Sequence, residues 1–185
     1  MSNGTTERKW DNDIMKFFKK NKQEKKQNNN VDEISEFLLT LPEIEEVTFE
    51  ESVTSSVTTS WGVEWSEDYI ARDIIQNFRD ANKNNINKII VNVQNNLVCI
   101  SAPSSFDLRA LFYVGTDKDK DSTNIGQYGE GFKAAVVSLQ KMGVKYPVSI
   151  SEDKACVISV GDSVGKGLDL KPLVYNFYTI KKIKG

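Results

Sequence analysis

The stretch that decides the fold is a glycine-rich turn running into a helix, Ile125-Gly126-Gln127-Tyr128-Gly129-Glu130-Gly131-Phe132-Lys133-Ala134-Ala135. Apolar residues then follow at the spacing of one helix face, namely Phe132, Ala135, Val136 and Leu139. Such glycines let backbone N–H groups approach an anion, and the positive end of the helix dipole favours a phosphate there. By itself the stretch does not distinguish a phosphate-binding turn from a glycine loop that only changes chain direction.

A second stretch, over residues 70–81, has the pattern of an amphipathic helix. Its apolar face consists of Ile70, Ile74, Phe78 and Ala81. A separate row at offsets of four and seven consists of Asp73, Asn77 and Asp80. The long polar side chains of Arg72, Gln76 and Arg79 fall outside that row. A polar helix face is usually only solvated, so the row needs a second observation before it indicates a site.

The two stretches together resemble the motifs of the gyrase, heat-shock chaperone, histidine kinase and MutL superfamily of ATPases (GHKL, or Bergerat fold). In that family a helix carries Glu-x-x-x-Asn-x-x-Asp-Ala, and a later Gly-x-x-Gly-x-Gly-Phe opens a second helix. This chain has Asp73-x-x-x-Asn77-x-x-Asp80-Ala81 and then Gly126-x-x-Gly129-x-Gly131-Phe132. The order and spacing agree, and the resemblance covers roughly residues 62–159.

The resemblance implies an α+β fold, a two-layer sandwich with helices on one face of a mainly antiparallel mixed sheet. The residue patterns predict strands near 47–61 and 174–183, and hairpins at 88–93 with 97–101 and at 148–152 with 155–160. They also predict helices over 32–41 and 106–113. We expect a flexible or partly helical extension at 1–30, followed by a nucleotide-binding domain at 31–185 with its core at 62–160.

The family also implies a role for each residue of the first motif. Asn77 matches the asparagine that holds Mg²⁺ on the phosphates of ATP, and an amide oxygen suits that cation. Asp73 stands where the family has the glutamate that polarises the attacking water. Aspartate is one methylene shorter, so we expect slow hydrolysis, because a displacement of about 1 Å costs roughly a hundredfold in rate. Asp80 matches the third position, either as a ligand contact or as a structural hydrogen-bond acceptor.

The second motif implies the phosphate side of the site. Gly126, Gly129 and Gly131 would carry the backbone around the phosphates, with Tyr128 and Phe132 beside them. Gln127 and Glu130 are expected to shape the lid. Lys118, in the polar loop 115–124, is the candidate charge partner of the phosphates. Lys133 is as readily expected to point at solvent.

The segment after the predicted strand 97–101 departs from the family. Family members normally have Asp-x-Gly-x-Gly there, and the aspartate accepts a hydrogen bond from the adenine amino group. This chain has Ser101-Ala102-Pro103-Ser104-Ser105, with Ala102 in the place of the aspartate. Such a hydrogen bond is worth about 1.5–3 kcal/mol, so adenine selectivity is in question.

Composition excludes several classes of function. The chain has 185 residues, 27% of them charged, and a net charge of −2, so no global field attracts nucleic acid. It has no histidine, which excludes a Ser-His-Asp triad, and no apolar run long enough to span a membrane. Cys99 and Cys156 are expected to be reduced core residues of a cytoplasmic protein.

Two functions remain open after the sequence is read. One is a switch in which Mg²⁺·ATP orders the loop 115–124 and changes contacts with another domain or subunit. That function implies a homodimer or a missing C-terminal domain, with the chain as a piece of a longer protein. The other is a degenerate interaction module that binds no ATP, or binds a nucleotide without adenine selectivity.

Overall fold

The computed structural model describes residues 30–94, 97–112, 129–165 and 167–183. Three α-helices lie in these ranges, at 30–39 (α1), Glu67–Ala81 (α2) and Gly129–Lys141 (α3). The strands are Ile44–Thr58 (β1), Ile90–Gln94 (β2), Leu97–Ser101 (β3), Val148–Ser151 (β4), Lys154–Val160 (β5) and Pro172–Lys182 (β6). Short 3-10 helices lie at Ile86–Lys88 and Leu108–Leu111. The predicted extension 1–30 lies outside the described residues except for Asn30.

The main sheet has four antiparallel strands in the order β1-β6-β5-β4. β1 is rich in Val, Thr and Ser, which favour extended backbone, and it pairs along β6 with three irregularities in register. β4 and β5 form the predicted hairpin across a turn at Glu152, which has a φ of 55°. The predicted hairpin of β2 and β3 is also confirmed, but it forms a two-stranded sheet of its own.

Alternate residues of β5 and β6 build two apolar cores, one on each face of the sheet. On one face, Cys156, Ile158 and Tyr175 pack against Val136 of α3 and Leu111 of the second 3-10 helix. The opposite core joins α1 to the other face, and its buried members include Ile34, Leu38, Ala155, Val157 and Tyr178. Each element therefore buries the face that its residue period predicts.

The α+β class with antiparallel sheets is confirmed. The expected single layer of helices holds for α3 and for α2, which packs on α3. It does not hold for α1, because its apolar stripe covers the opposite face of the sheet. The helix expected over 106–113 is shorter than predicted, since only Leu108–Leu111 is helical, as a 3-10 turn begun by Asp107.

Helix α3 is buried nearly all round at its centre, where residues 133–138 are all inaccessible to solvent. The chain between β1 and α2 closes over it: the Trp65 N–H donates to the Ser138 hydroxyl at 2.9 Å, and the Lys141 ammonium donates to the carbonyl oxygens of Trp61 and Val63. Helix α3 thus holds a fixed position between the sheet and α2.

Candidate functional site

The two motif helices meet where Asp73 of α2 faces Gly131 of α3. A Cβ built on Gly131 would lie 3.2 Å from Oδ2 and 3.4 Å from Oδ1 of Asp73. A separation of 3.2 Å is tighter than nine in ten real Cβ contacts, so only glycine fits here without movement of the carboxylate. The fold therefore brings the first and last parts of the two sequence motifs into contact.

Asn77 lies one helical turn after Asp73 and is bonded to it. Its side-chain Nδ2 donates to Oδ2 of Asp73 at 3.1 Å. This bond turns the amide nitrogen toward the carboxylate and the amide oxygen away from it. Both side chains are half-buried, whereas Arg72 and Gln76 on the same helix are exposed. The Asp-Asn row predicted from spacing is therefore a distinct, partly enclosed surface of α2.

Asp80, the third motif residue, has a local partner. Its Oδ1 accepts a hydrogen bond of 3.0 Å from Nε2 of Gln76, one turn earlier on the same helix. Spacing of four residues makes such a pair ordinary on a helix surface. Of its two predicted roles, the described contacts therefore fit the structural acceptor.

The C-terminal end of α2 is tied to the segment where the family's adenine motif would stand. Asn82 is 4% exposed, and its Nδ2 donates to the carbonyl of Phe78 and to the hydroxyl of Ser104, each at 2.8 Å. Its Oδ1 accepts from the Ser104 N–H at 3.1 Å. Sequence reasoning placed Asn82 in a helix-breaking connection and missed this role. A polar residue directly after the last apolar position of a helix was the only available signal.

The chain after Ser104 continues along the turn between β4 and β5. The Ser105 hydroxyl donates to Oε1 of Glu152 at 2.9 Å, and the Phe106 N–H donates to the Ser151 hydroxyl at 3.0 Å. Ala102 is half-buried, and its methyl group offers no acceptor to a base. Asn82 and Ser104 supply the polar groups nearest along the chain, and they bond to each other.

A groove of about 480 Å³ follows this segment, between residues 105–109 and the sheet. Its charged residues are paired across it: Arg109 contacts Glu50 and Glu51, and Lys154 donates to Glu50 at 2.5 Å. The pKa of the Glu50 carboxyl is lowered, chiefly by its hydrogen bond from Lys154. The residues that line the groove do not include Asp73 or Gly131. The groove is therefore separate from the contact between the two motif helices.

Lys133 differs most from its sequence-based expectation. Its side chain is 2% exposed, although the sequence allowed it to point at solvent. Burial lowers the pKa of its ammonium group. A lysine at the centre of a helix that is buried all round could not be recognised from spacing, because the residues beside it, Phe132 and Ala134, fit a one-sided apolar stripe equally well.

The remaining predicted site residues divide into two groups. Gly129 begins α3, Glu130 is exposed in its first turn, and Phe132 packs against the core on the α3 side of the sheet. Lys118, Gly126, Gln127 and Tyr128 lie outside the described residues, as does the loop 115–124.

The expectation for the cysteines is half right. Cys156 is fully buried, and burial raises the pKa of its thiol to about 12. Cys99 is exposed on β3, because the hairpin of β2 and β3 stands apart from the main sheet.

Within the described ranges, no group of three or more Asp, Glu or Cys side chains is arranged to hold a metal ion. The helices in those ranges include none that is long and apolar enough to cross a membrane. Comparisons with models of protein families, with curated proteins and with solved structures gave no match to the chain.

Proposed function

We propose that this chain is a GHKL-type nucleotide-binding domain that takes up Mg²⁺·ATP between α2 and α3. In this proposal the bound nucleotide acts as a conformational switch and is hydrolysed slowly. The observation that carries the proposal is the contact between Asp73 and Gly131, since it joins two motifs that were recognised independently in the sequence.

The fit of the residues to a phosphate rests on the space in front of Asp73. That space would be filled by any side chain at position 131, whereas glycine leaves it open at the first turn of a 13-residue helix. Backbone N–H groups in the first turn have no partner within the helix, and they favour an anion. A glycine at that turn therefore supports phosphate rather than side-chain packing as the occupant.

The chemistry assigned to the side chains follows from their atoms. The Asn77 amide oxygen is a hard, neutral ligand, and Mg²⁺ commonly takes one or two protein ligands and completes its shell with waters and phosphates. When bound, the cation would bridge phosphate oxygens and offset their charge. Asn77 thus does not need a cluster of carboxylates around it.

Asp73 is assigned to orient and deprotonate the attacking water. The hydrogen bond from Asn77 fixes the rotation of its carboxylate, which is a condition for positioning a water. Its side chain is a methylene shorter than the family's glutamate, so the proposal includes slow turnover. Lys118, Gln127, Tyr128 and Glu130 remain assigned to the lid and phosphate side by resemblance alone.

One observation favours the second candidate, a domain that no longer reads adenine or binds no nucleotide. Where the family has its aspartate, Ala102 has no acceptor, and the neighbouring Ser104 is held by Asn82. Loss of a charge-assisted hydrogen bond would cost about ten- to a hundredfold in affinity for adenine. This candidate predicts that ATP and GTP bind alike, or that neither binds.

The deciding experiment is calorimetric titration of the protein with ATP and with GTP, each with and without Mg²⁺. Asn77→Ala is the test variant, and Asn84→Ala is the matched control because Asn84 is exposed in the turn after α2. We expect Mg²⁺-dependent binding that Asn77→Ala weakens about tenfold and that Asn84→Ala leaves unchanged.

The other outcomes have distinct meanings. Equal affinity for ATP and GTP would retain the phosphate site and remove adenine selectivity. No heat and no thermal stabilisation at millimolar nucleotide would overturn the proposal and leave the interaction module. If binding occurs, Asp73→Asn is expected to abolish turnover while nucleotide remains bound.

A further inference from the structure

The hairpin of β2 and β3 presents an apolar face that other described elements leave uncovered. Antiparallel pairing places Val93 opposite Val98 and Val91 opposite Ile100 on the same face. Val91, Val93 and Val98 are 52%, 66% and 64% exposed. We call these three side chains the valine face. Isolated two-stranded sheets are marginally stable in water, so a hairpin with its apolar face exposed lacks the packing that normally supports one.

The absence of charge in this hairpin contrasts with the main sheet. Residues 90–94 and 97–101 include no Asp, Glu, Lys or Arg, in a chain with 27% charged residues. The edge strand β1, by comparison, carries Glu45, Glu46, Glu50 and Glu51 and has three irregularities in its pairing. Charges and bulges are the usual protection of a sheet against unwanted association. The β2–β3 hairpin has neither of these features.

We propose that the valine face is an interface between two copies of this chain, with the hairpins packed face to face. Charge matching selects the second copy over an acidic or basic partner, whose charges would find no counterparts on this face. A second copy presents the same uncharged valines, and a net charge of −2 on each chain opposes association only slightly. The core of a homodimer interface is typically apolar and depleted of charge. This inference does not depend on nucleotide binding.

The opposite face of the hairpin supplies a matched control. Asn92 and Cys99 are directly paired across the strands, as Val93 and Val98 are, but their side chains point to the other side. A lysine at Val98 would place a charge within the interface. A lysine at Asn92 adds the same charge to the same hairpin outside it.

The test is analytical ultracentrifugation of the full chain over a range of concentrations, without nucleotide, beside Val98→Lys and Asn92→Lys. We expect a monomer–dimer equilibrium for the parent chain, a dissociation constant raised at least about tenfold by Val98→Lys, and little change with Asn92→Lys. A chain that stays monomeric up to about 100 μM would overturn the proposal, since dissociation constants weaker than that are below what a specific interface gives. Equal weakening by both variants would also overturn it, because it would indicate pairing through the strand edge.

A chemical measurement guards against a variant that fails to fold. Cys99 is exposed on the control face, and Cys156 is buried with a raised thiol pKa, so the native chain has one readily reactive thiol. In a Cys99→Ser background, Val98→Cys is expected to be protected from maleimide in a manner that increases with protein concentration. Cys99 in the parent chain should react equally at all concentrations. Concentration-independent labelling of Val98→Cys would contradict the proposed interface.

Discussion

The two ends of helix α2 contact their neighbours in opposite ways. At the Asp73 end, the neighbour across the contact is a glycine, and the closeness of the two helices depends on a side chain that is missing. At the Asn82 end, the neighbouring segment is held by three hydrogen bonds from one buried amide. The first end keeps space in front of a carboxylate, and the second end fills its space with partners. The resemblance to the GHKL family follows the same division, since it is close at the first end and breaks down at the second.

The largest effect is expected at the filled end. Asn82→Ala removes the acceptor of the Ser104 N–H and both bonds donated by the amide, so it should lower the free energy of unfolding by about 2–3 kcal/mol. Chemical denaturation monitored by tryptophan fluorescence measures this directly. Asn84→Ala, two residues later and exposed, should change stability by less than about 0.5 kcal/mol. Similar losses for both variants would mean that the Asn82 contacts contribute little.

A smaller change, of a different kind, is expected at the open end. Gly131→Ala places a methyl group 3.2 Å from the Asp73 carboxylate, so it should weaken Mg²⁺·ATP binding about tenfold. It should leave the melting temperature unchanged or slightly higher, because alanine is favoured over glycine in a helix by up to about 1 kcal/mol.

Gly62→Ala is the control for that variant, since a Cβ at Gly62 meets nothing within 4 Å. If Gly131→Ala lowers stability by more than about 1 kcal/mol without affecting nucleotide, the glycine serves packing and not a ligand. Adding Asp73→Ala to Gly131→Ala should remove the steric conflict, which a double-mutant cycle on stability detects.

The smallest effect is expected between the two ends, at Asp80. Its acceptor bond with Gln76 lies on the exposed side of the helix, and pairs of this kind contribute about 0.2–0.5 kcal/mol. Asp80→Ala should therefore change stability by no more than that, and nucleotide affinity by less than about twofold. A loss in affinity as large as that of Asn77→Ala would restore Asp80 to the list of ligand contacts.

Much of the fold followed from residue periods. The stripe of Ile34 and Leu38 and the polar row of Asp73 and Asn77 correctly indicated helices and the direction of their faces. The alternation in residues 155–160 and 174–183 indicated strands that are buried on both sides. A period assigns residues to the face of an element but not that face to a neighbour. For this reason, the position of α1 on the opposite side of the sheet was not predictable.

The site divides in the same way. The contact of the two motifs was implied by family resemblance, because spacing alone gives no distance between residues 73 and 131. Asn82 and Lys133 were missed because their environment is created by packing: Asn82 meets a segment 22 residues later, and Lys133 is buried by elements on every side of α3. Cys99 was wrongly expected in the core because a strand pattern does not reveal whether its sheet is joined to another.

The order of strands in the main sheet has a consequence for how this chain becomes folded. β6 lies between β1 and β5, so β1 has no partner until the last of the six strands has been synthesised. Ser52 of β1 and Asn176 of β6, which share a hydrogen bond, are 124 residues apart. Closing so long a loop is slow relative to local pairing, and β4 and β5 can form their hairpin far sooner. During that interval β1 is an unpaired 15-residue strand, and its four glutamates then act by keeping nascent chains from associating.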